Sequence, residues 1–276
     1  MHAGVLHLSD SELEVVLNDL LDVHGYDFTN YSRASLKRRI TRLLSFDKFV
    51  SFAEFRYRLR SDQEYLQRFI EQVTVNVTEM FRDPSFYKTL REEVLPIVGS
   101  SPVIRIWHAG CATGEEVYSM AIMLHEEKLL HKSRLYATDI NPTVLETVRT
   151  GIFPMNQMQA YSENYNRAGG KRDFSSYYTA QYNVAKFDAQ LSSRMILATH
   201  NLVSDRSFNE FQIIMCRNVM IYFDKDLQDK VLQLFDESLE LFGFLCLGSK
   251  ETIRFSAMSK KYKQVGKEKI WRKVEK

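Results

Sequence analysis

A chain of 276 residues, 45% hydrophobic and 26% charged, can bury a full core and has room for one large domain plus a small one. Its formal net charge of +2 is too small to imply binding to nucleic acid or to a membrane surface, so local patches matter more than the total. The cysteines, Cys111, Cys216 and Cys246, are odd in number and far apart, which supports neither a disulfide framework nor a Cys-x-x-Cys metal site. No metal is expected, and the expected setting is reduced and cytoplasmic. The opening residues lack the basic and apolar regions of a signal peptide, and no run of about 18 apolar residues occurs. Nothing is expected to insert in a membrane.

Residues 9 to 95 read as helical. Ser9-x-x-Glu12 forms a capping box ahead of Leu13, Val16, Leu17, Leu20 and Leu21 at helical spacing. In the helix from Tyr31 to Leu44, Leu36, Ile40, Leu43 and Leu44 form one stripe. Arg38, Arg39 and Arg42 project from the other side, with Arg33 and Lys37 at the margin. That basic face suits either solvent or an acidic protein partner. It has no interleaved aromatics of the kind single-stranded nucleic acid stacks on, and no nucleic-acid partner is expected. Around Gly99-Ser-Ser-Pro102 the pattern changes to strands alternating with helices, which predicts a boundary between a helical domain (1–98, with its linker) and an α/β domain (99–276).

Residues 104–118 read as a buried strand running into a glycine turn and then an acid-rich helix. Gly110 and Gly114 permit close backbone approach, and Glu115 and Glu116 fall in the first helical turn. Acid there suits a positively charged cofactor with ribose or amino groups better than a pyrophosphate, which needs free amides. The alternative is a tight turn with a solvated acidic cap. One βα unit later a short strand ends in Asp139, and Asn141-Pro142 opens the next helix by cap and fixed φ. An acid at a strand's carboxyl end is where a doubly wound sheet holds ribose hydroxyls, although Asp139 also suits an N-cap. Residues 155–200 break the alternation. Tyrosines surround Gly169-Gly170, and 182–187 and 195–199 read as short strands, so an inserted antiparallel ribbon is predicted. A third strand from Phe211 delivers Asn218 and Tyr222 beyond its end, and Lys269–Val274 suits a closing strand of the sheet.

The ordered set Asn76-Val-Thr-Glu-Met-Phe-Arg-Asp, Gly110-Cys-Ala-Thr-Gly-Glu-Glu-Val-Tyr-Ser, Ala137-Thr-Asp-Ile-Asn and Cys216-Arg-Asn-Val-Met-Ile-Tyr-Phe-Asp resembles the chemotaxis receptor methyltransferases, the CheR family, over nearly the whole chain. Two departures stand out. Gly248-Ser-Lys-Glu replaces the family's Gly-His-Ser-Glu, and Val117 replaces its proline. On residues alone, Asn76 and Thr78 also suit a helix cap, and Arg82 suits a pair with Asp83.

The resemblance implies a class I, Rossmann-like α/β methyltransferase sheet with an N-terminal all-helical domain and an antiparallel β subdomain inserted at 155–200. It implies a protein-glutamate O-methyltransferase that uses S-adenosylmethionine, leaves S-adenosylhomocysteine, and acts on the helical cytoplasmic region of a chemoreceptor or similar signalling protein. Carried over by motif, Asn76, Thr78 and Arg82 line the methionyl end of the cofactor, Glu116 and Asp139 hold its amino and ribose groups, and Asn201-Leu202 flank the adenine. Gly110, Cys216, Arg217 and Asn218 complete the pocket. Arg82 and Tyr222 are expected at the reacting end, and Arg38, Arg39 and Arg42 at the substrate surface. The β subdomain, with its basic turn Gly169-Gly170-Lys171-Arg172, is a candidate for holding a receptor's C-terminal peptide. A monomer is expected. A cofactor-binding scaffold without turnover is the alternative. The chain lacks the Asn/Asp-Pro-Pro-Tyr/Phe of nucleic-acid amino-methyltransferases and the Gly-x-Gly-x-x-Gly of dinucleotide oxidoreductases.

Overall fold

The computed structural model describes residues 8–74 and 78–276. They form two compact units, one of residues 8–74 with Tyr222–Lys230, the other of residues 78–221 with Val231–Lys276.

The first unit is helical. Helix α1 (Asp10–His24) starts at the expected capping box: the Glu12 N–H donates to Ser9 Oγ (3.2 Å) and the Ser9 N–H to Glu12 Oε2 (2.8 Å). It stops at Gly25, which takes the left-handed φ of +74° that glycine tolerates at a helix end. Leu13, Val16, Leu17 and Leu20 are buried, but Leu21 is 37% exposed, because one further residue rotates 100° off the stripe. Helix α2 (Arg33–Asp47) buries Leu36, Ile40, Leu43 and Leu44 as their spacing predicts. Helices α3 (Phe52–Ser61) and α4 (Gln63–Val73) are capped by Ser51 and Asp62, whose side chains accept from the Glu54 and Tyr65 amides.

The second unit starts before the first strand, and this corrects the predicted boundary at Gly99–Pro102. Helix α5 (Pro84–Thr89) continues through a π turn at Leu90–Val94 into α6 (Leu95–Val98). Its Phe86, Tyr87, Leu90, Val94 and Leu95 are buried in the same apolar cluster as Ile104, Ile106 and Ile213 of the sheet and Met120 of the helix packed on it. The change in composition marks where helix gives way to strand, whereas the core had already changed.

In chain order there follow β1 (Ile104–Ala109), α7 (Glu115–Glu126), β2 (Ser133–Asp139), α8 (Pro142–Thr150), β3 (Ile152–Pro154), α9 (Met158–Arg167), β4 (Tyr178–Gln181), β5 (Val184–Phe187), α10 (Ala189–Ser192), β6 (Met195–Thr199), β7 (Phe211–Cys216), α11 (Lys225–Ser238), β8 (Leu239–Leu247), β9 (Tyr262–Val265) and β10 (Ile270–Lys273). Among the described residues, seven strands make one sheet in the order β6-β2-β1-β7-β8-β10-β9. The first five are parallel neighbours and β10 runs antiparallel to both β8 and β9. Strand β7 is buried along its whole length, as expected of a parallel strand covered on both faces. The chain order reverses between β1 and β7, which places the switch point of this Rossmann-like sheet beside β1.

The expected insertion is present as a separate antiparallel sheet, β3-β5-β4, with Phe153 opposite Ala185 and Thr179 opposite Lys186. Residues 195–199, read from sequence as part of that ribbon, instead form β6 and pair in parallel with β2, Leu135 opposite Met195 through Asp139 opposite Thr199. A five-residue strand carries no local signal of its partner, and here tertiary packing chose the main sheet.

Candidate functional site

Strand β1 runs into a turn in which Gly110 and Gly114 adopt φ of +74° and +97°. Neither glycine serves only to admit a ligand. A Cβ at Gly110 would stand 2.6 Å from Val219 Cγ2 and one at Gly114 would stand 2.8 Å from Val148 Cγ2, so both positions are dictated by close packing as well as by φ. The turn's amides are occupied internally. Gly110 and Cys111 N–H donate to the Thr138 carbonyl (both 2.9 Å), Ala112 N–H to Asp139 Oδ2 (2.9 Å) and Gly114 N–H to the Cys111 carbonyl (3.1 Å). A pyrophosphate would find few free donors here.

The acids of this region are not a solvated cap. Glu115 is 6% exposed and accepts from Thr113 Oγ1 (2.6 Å) and Tyr161 OH (3.3 Å). Burial raises its pKa against those hydrogen bonds. For Glu116 burial pushes the same way, but the His108 ring (Nδ1 at 2.9 Å) and the Arg217 guanidinium (3.5 Å) outweigh it and hold the carboxyl below its ordinary value. Asp139, 7% exposed at the end of β2, takes the Ala112 N–H on one oxygen and the Asn141 N–H on the other (both 2.9 Å). Burial raises its pKa, with these backbone donors opposing. Each oxygen keeps a lone pair for a further donor. The helix cap is Asn141, whose side chain accepts from Thr143 N–H (2.9 Å).

Arg82 lies on a strained turn. Phe81 and Asp83 on either side of it have φ of +53° and +58°, a conformation that costs a non-glycine residue about 1–3 kcal/mol and persists only where the surroundings impose it. They do so here. Phe81 N–H donates to Ser119 Oγ (2.9 Å), Asn164 Nδ2 to the Met80 carbonyl (3.2 Å), and Arg217 Nη2 to both the Arg82 carbonyl (2.9 Å) and Asp83 Oδ2 (2.8 Å). Asp83 therefore pairs with Arg217, not with Arg82. Among the described residues the half-buried Arg82 guanidinium has no ion-pair partner. Thr78, earlier in this segment, is half-buried, and Asn76 lies outside the described residues.

At the end of β7, Cys216 is fully buried, and burial, then the nearby Glu251 and Glu116, push its thiol well above its ordinary pKa. Arg217 is buried too, its guanidinium 4.1 Å from the Phe86 ring centre. Expected as a pocket residue, it contacts Glu116 and also braces the Arg82 turn. Asn218 takes a left-handed φ of +62°. After β6, Asn201 and Leu202 are half-buried, the Asn201 side chain closing its own turn onto Val203 N–H (3.0 Å).

His108 Nε2, Asn141 Nδ2, His200 Nδ1 and Asn218 Oδ1 are buried with no hydrogen-bond partner among the described residues. They lie at or just beyond the carboxyl ends of β1, β2, β6 and β7. Such atoms are rarely left unpaired in a native protein, and donors and acceptors along the strand ends beside three acids fit an adenosine and amino-acid ligand. The sequence singles out neither His108 nor His200, whose only signal is position at a strand end, and it offers Asn141 only as a helix cap and as the last residue of Ala137-Thr-Asp-Ile-Asn.

Tyr222 and the basic helix belong to the helical unit. The Tyr222 carbonyl accepts from Ser32 N–H (2.8 Å) and its ring lies 5.0 Å from the Arg39 guanidinium. Arg39 also donates to the Val73 carbonyl (2.5 Å) and is half-buried, whereas Arg38 and Arg42 are exposed. Arg33 pairs with Glu14 and Lys37 with Asp10. The single basic face expected of Arg38, Arg39 and Arg42 thus reduces to Arg38 and Arg42, because Arg39 is held by its own unit. The basic turn of the insertion is likewise engaged. Lys171 Nζ meets Glu127 (2.7 Å), its N–H donates to Glu126 Oε1 (2.8 Å), and Arg172 N–H donates to Tyr165 OH (2.9 Å).

Residues 11–74 match the CheR methyltransferase all-alpha domain, and residues 76–270 match the CheR methyltransferase SAM binding domain. The chain is 46% identical over 266 residues to the Pseudomonas putida protein named "Putative methyltransferase Cher3", covering 96% of this chain and 97% of that one. It is 31% identical over 241 residues to a chemotaxis protein methyltransferase of Listeria innocua, covering 87% of each. With that of Escherichia coli K12 it shares 27% over 263 residues, covering 93% of this chain and 89% of the other. The chain belongs to the CheR family of S-adenosylmethionine-dependent chemotaxis methyltransferases.

Proposed function

We propose that this protein methylates glutamate side chains on the helical cytoplasmic region of a chemoreceptor or similar signalling protein, as a protein-glutamate O-methyltransferase. The observation that carries this reading is Arg82, a half-buried cation with no ion-pair partner among the described residues, on a strained and braced turn. Such a group suits recognition of a carboxylate. S-adenosylmethionine supplies an activated methyl on a sulfonium, so its transfer to a glutamate oxygen leaves a neutral sulfur and an ester, with no proton to move.

The chain's own residues need only bind, align and desolvate. Asp139 accepts from the ribose hydroxyls with the lone pairs its backbone contacts leave free, and Glu116, kept ionised by His108 and Arg217, faces the amino group. Asn201 and Leu202 flank the adenine, Asn76 and Thr78 serve the methionyl end, and Gly110, Cys216 and Asn218 complete the wall. Cys216, held as a neutral thiol, is no nucleophile. Arg82 steers the acceptor carboxylate and Tyr222 orients it. Arg38 and Arg42 meet acidic groups of the receptor, and a receptor's C-terminal peptide would add to an open edge of the β3-β5-β4 sheet, since the Lys171 turn is already engaged.

Incubation with radiolabelled S-adenosylmethionine and receptor-bearing membranes should give protein-bound label that base releases, because esters hydrolyse and methylamines do not. Base-stable label would overturn glutamate as the acceptor. Tight cofactor binding with no label on any receptor would favour a scaffold.

A further inference from the structure

We propose that Glu251 is a positioning residue for the cofactor: its carboxylate sets the backbone of the Asn218–Val219 turn against the glycine turn that follows β1. The inference rests on the cofactor site described above. Glu251 is 5% exposed. Its Oε2 accepts the N–H of Asn218 (3.0 Å) and of Gly248 (2.6 Å), and its Oε1 accepts that of Val219 (3.0 Å). Its own N–H returns to the Gly248 carbonyl (2.9 Å), closing the segment into a turn.

Three backbone donors converging on one side chain require two acceptor oxygens and no donor, which a carboxylate provides and an amide does not. The turn so held is not relaxed. Asn218 is left-handed, and its side-chain oxygen is buried with no partner among the described residues, free to meet a ligand. Both flanks of the turn are in close contact with glycines. Val219 Cγ2 lies 2.6 Å from where a Gly110 Cβ would be, and a Gly248 Cβ would lie 2.8 Å from Asn218 N and 2.7 Å from Glu251 Oε2. Glu251 thus connects the late segment 248–251 to the turns after β7 and β1. Ser249 and Lys250, the two residues at which this segment departs from the family pattern, are exposed, whereas Gly248 and Glu251 make the contacts.

The test is calorimetric titration of S-adenosylhomocysteine into the full chain and into Glu251→Gln, whose amide would set a donor among three N–H donors. The variant should bind about 10-fold or more weakly, as expected for lost hydrogen bonds to a charged group. The KM for S-adenosylmethionine should rise in step, while kcat at saturating cofactor should change by less than about threefold, since only binding is affected. Ile253→Val, a fully buried neighbour, tests for mere destabilisation and should leave cofactor affinity unchanged. Gly248→Ala, which pushes into Asn218 without altering charge, should reproduce the loss and decides the matter if Glu251→Gln does not fold. Affinity within twofold of the parent in a folded Glu251→Gln, or in Gly248→Ala if Glu251→Gln does not fold, overturns the inference, as does an equal loss in Ile253→Val. No binding by the unaltered protein would instead overturn the cofactor site itself.

Discussion

Arg217 carries its charge where water hardly reaches, its side chain 3% exposed, with Asp83 and Glu116 as counter-charges. Removing one partner of a buried pair costs about 3–5 kcal/mol, because the other charge is left uncompensated. Asp83 is partly exposed, so Arg217→Met should fall near the lower figure, measured by denaturant unfolding. Arg217→Lys should recover only part of this, since an ammonium cannot span the Arg82 carbonyl, Asp83 and Glu116 as the planar fork does. Asp139 makes a different prediction. Its carboxylate orders the glycine turn through Ala112 and is the proposed ribose acceptor, so Asp139→Ala should weaken S-adenosylhomocysteine binding about 10-fold or more, read by calorimetry. The pH sign follows from burial, which raises its pKa above the ordinary 3.8. The ionised acceptor is lost as pH falls, so cofactor affinity should decline from a higher pH than an ordinary aspartate would give. Its position at the end of β2 was legible in the sequence. The bracing of the Arg82 turn by Arg217 was not, since a long side chain takes its direction from packing.

At the scale of elements, the insertion is joined to α7 by a buried carboxylate. Glu126, its side chain fully buried, accepts from Arg91 (2.6 Å), Tyr177 OH (2.9 Å) and Lys171 N–H (2.8 Å). Burial raises its pKa, but the hydrogen bonds from Tyr165, Lys171 and Arg91 outweigh this and leave it below 4.5. An acid whose folded pKa is depressed contributes stability that is full above the unfolded value and lost as pH falls through the folded one. Glu126→Gln should therefore lower stability at pH 7 and flatten the acid limb below pH 4.5, seen in melts across that range. Helix α2 separates two roles that its sequence merged. Reversing Arg38 and Arg42 to Glu should reduce receptor methylation at low salt with cofactor binding unchanged, since exposed charges act over about 8 Å at physiological ionic strength. Arg39→Ala should lower stability instead, through the lost contacts to Val73 and Tyr222. Normal methylation by the double reversal would return that face to plain solvation.

For the molecule as a whole, a ligand that binds only the folded state stabilises it by mass action. S-adenosylhomocysteine at 100 times its Kd should add about 2.7 kcal/mol to the stability of the second unit, and the same concentration should add about 1.4 kcal/mol or less to Asp139→Ala, whose affinity is about 10-fold or more weaker. Sequence by itself determined the features that depend on neighbours along the chain: the Ser9 capping box, the stripe of α2, the turn of Gly110 and Gly114, the acid ending β2 and the cap at Asn141. The ordered motifs identified the family for the same reason, since each is a short contiguous run. Tertiary structure alone decided what depends on residues distant in the chain. Residues 84–98 pack with the sheet, β6 joins β2, Lys171 is held by Glu126 and Glu127, Arg217 braces Arg82, and Glu251 holds Asn218. In each case the partner is selected by burial and by the need of buried polar groups for a matching donor or acceptor, which no local pattern encodes.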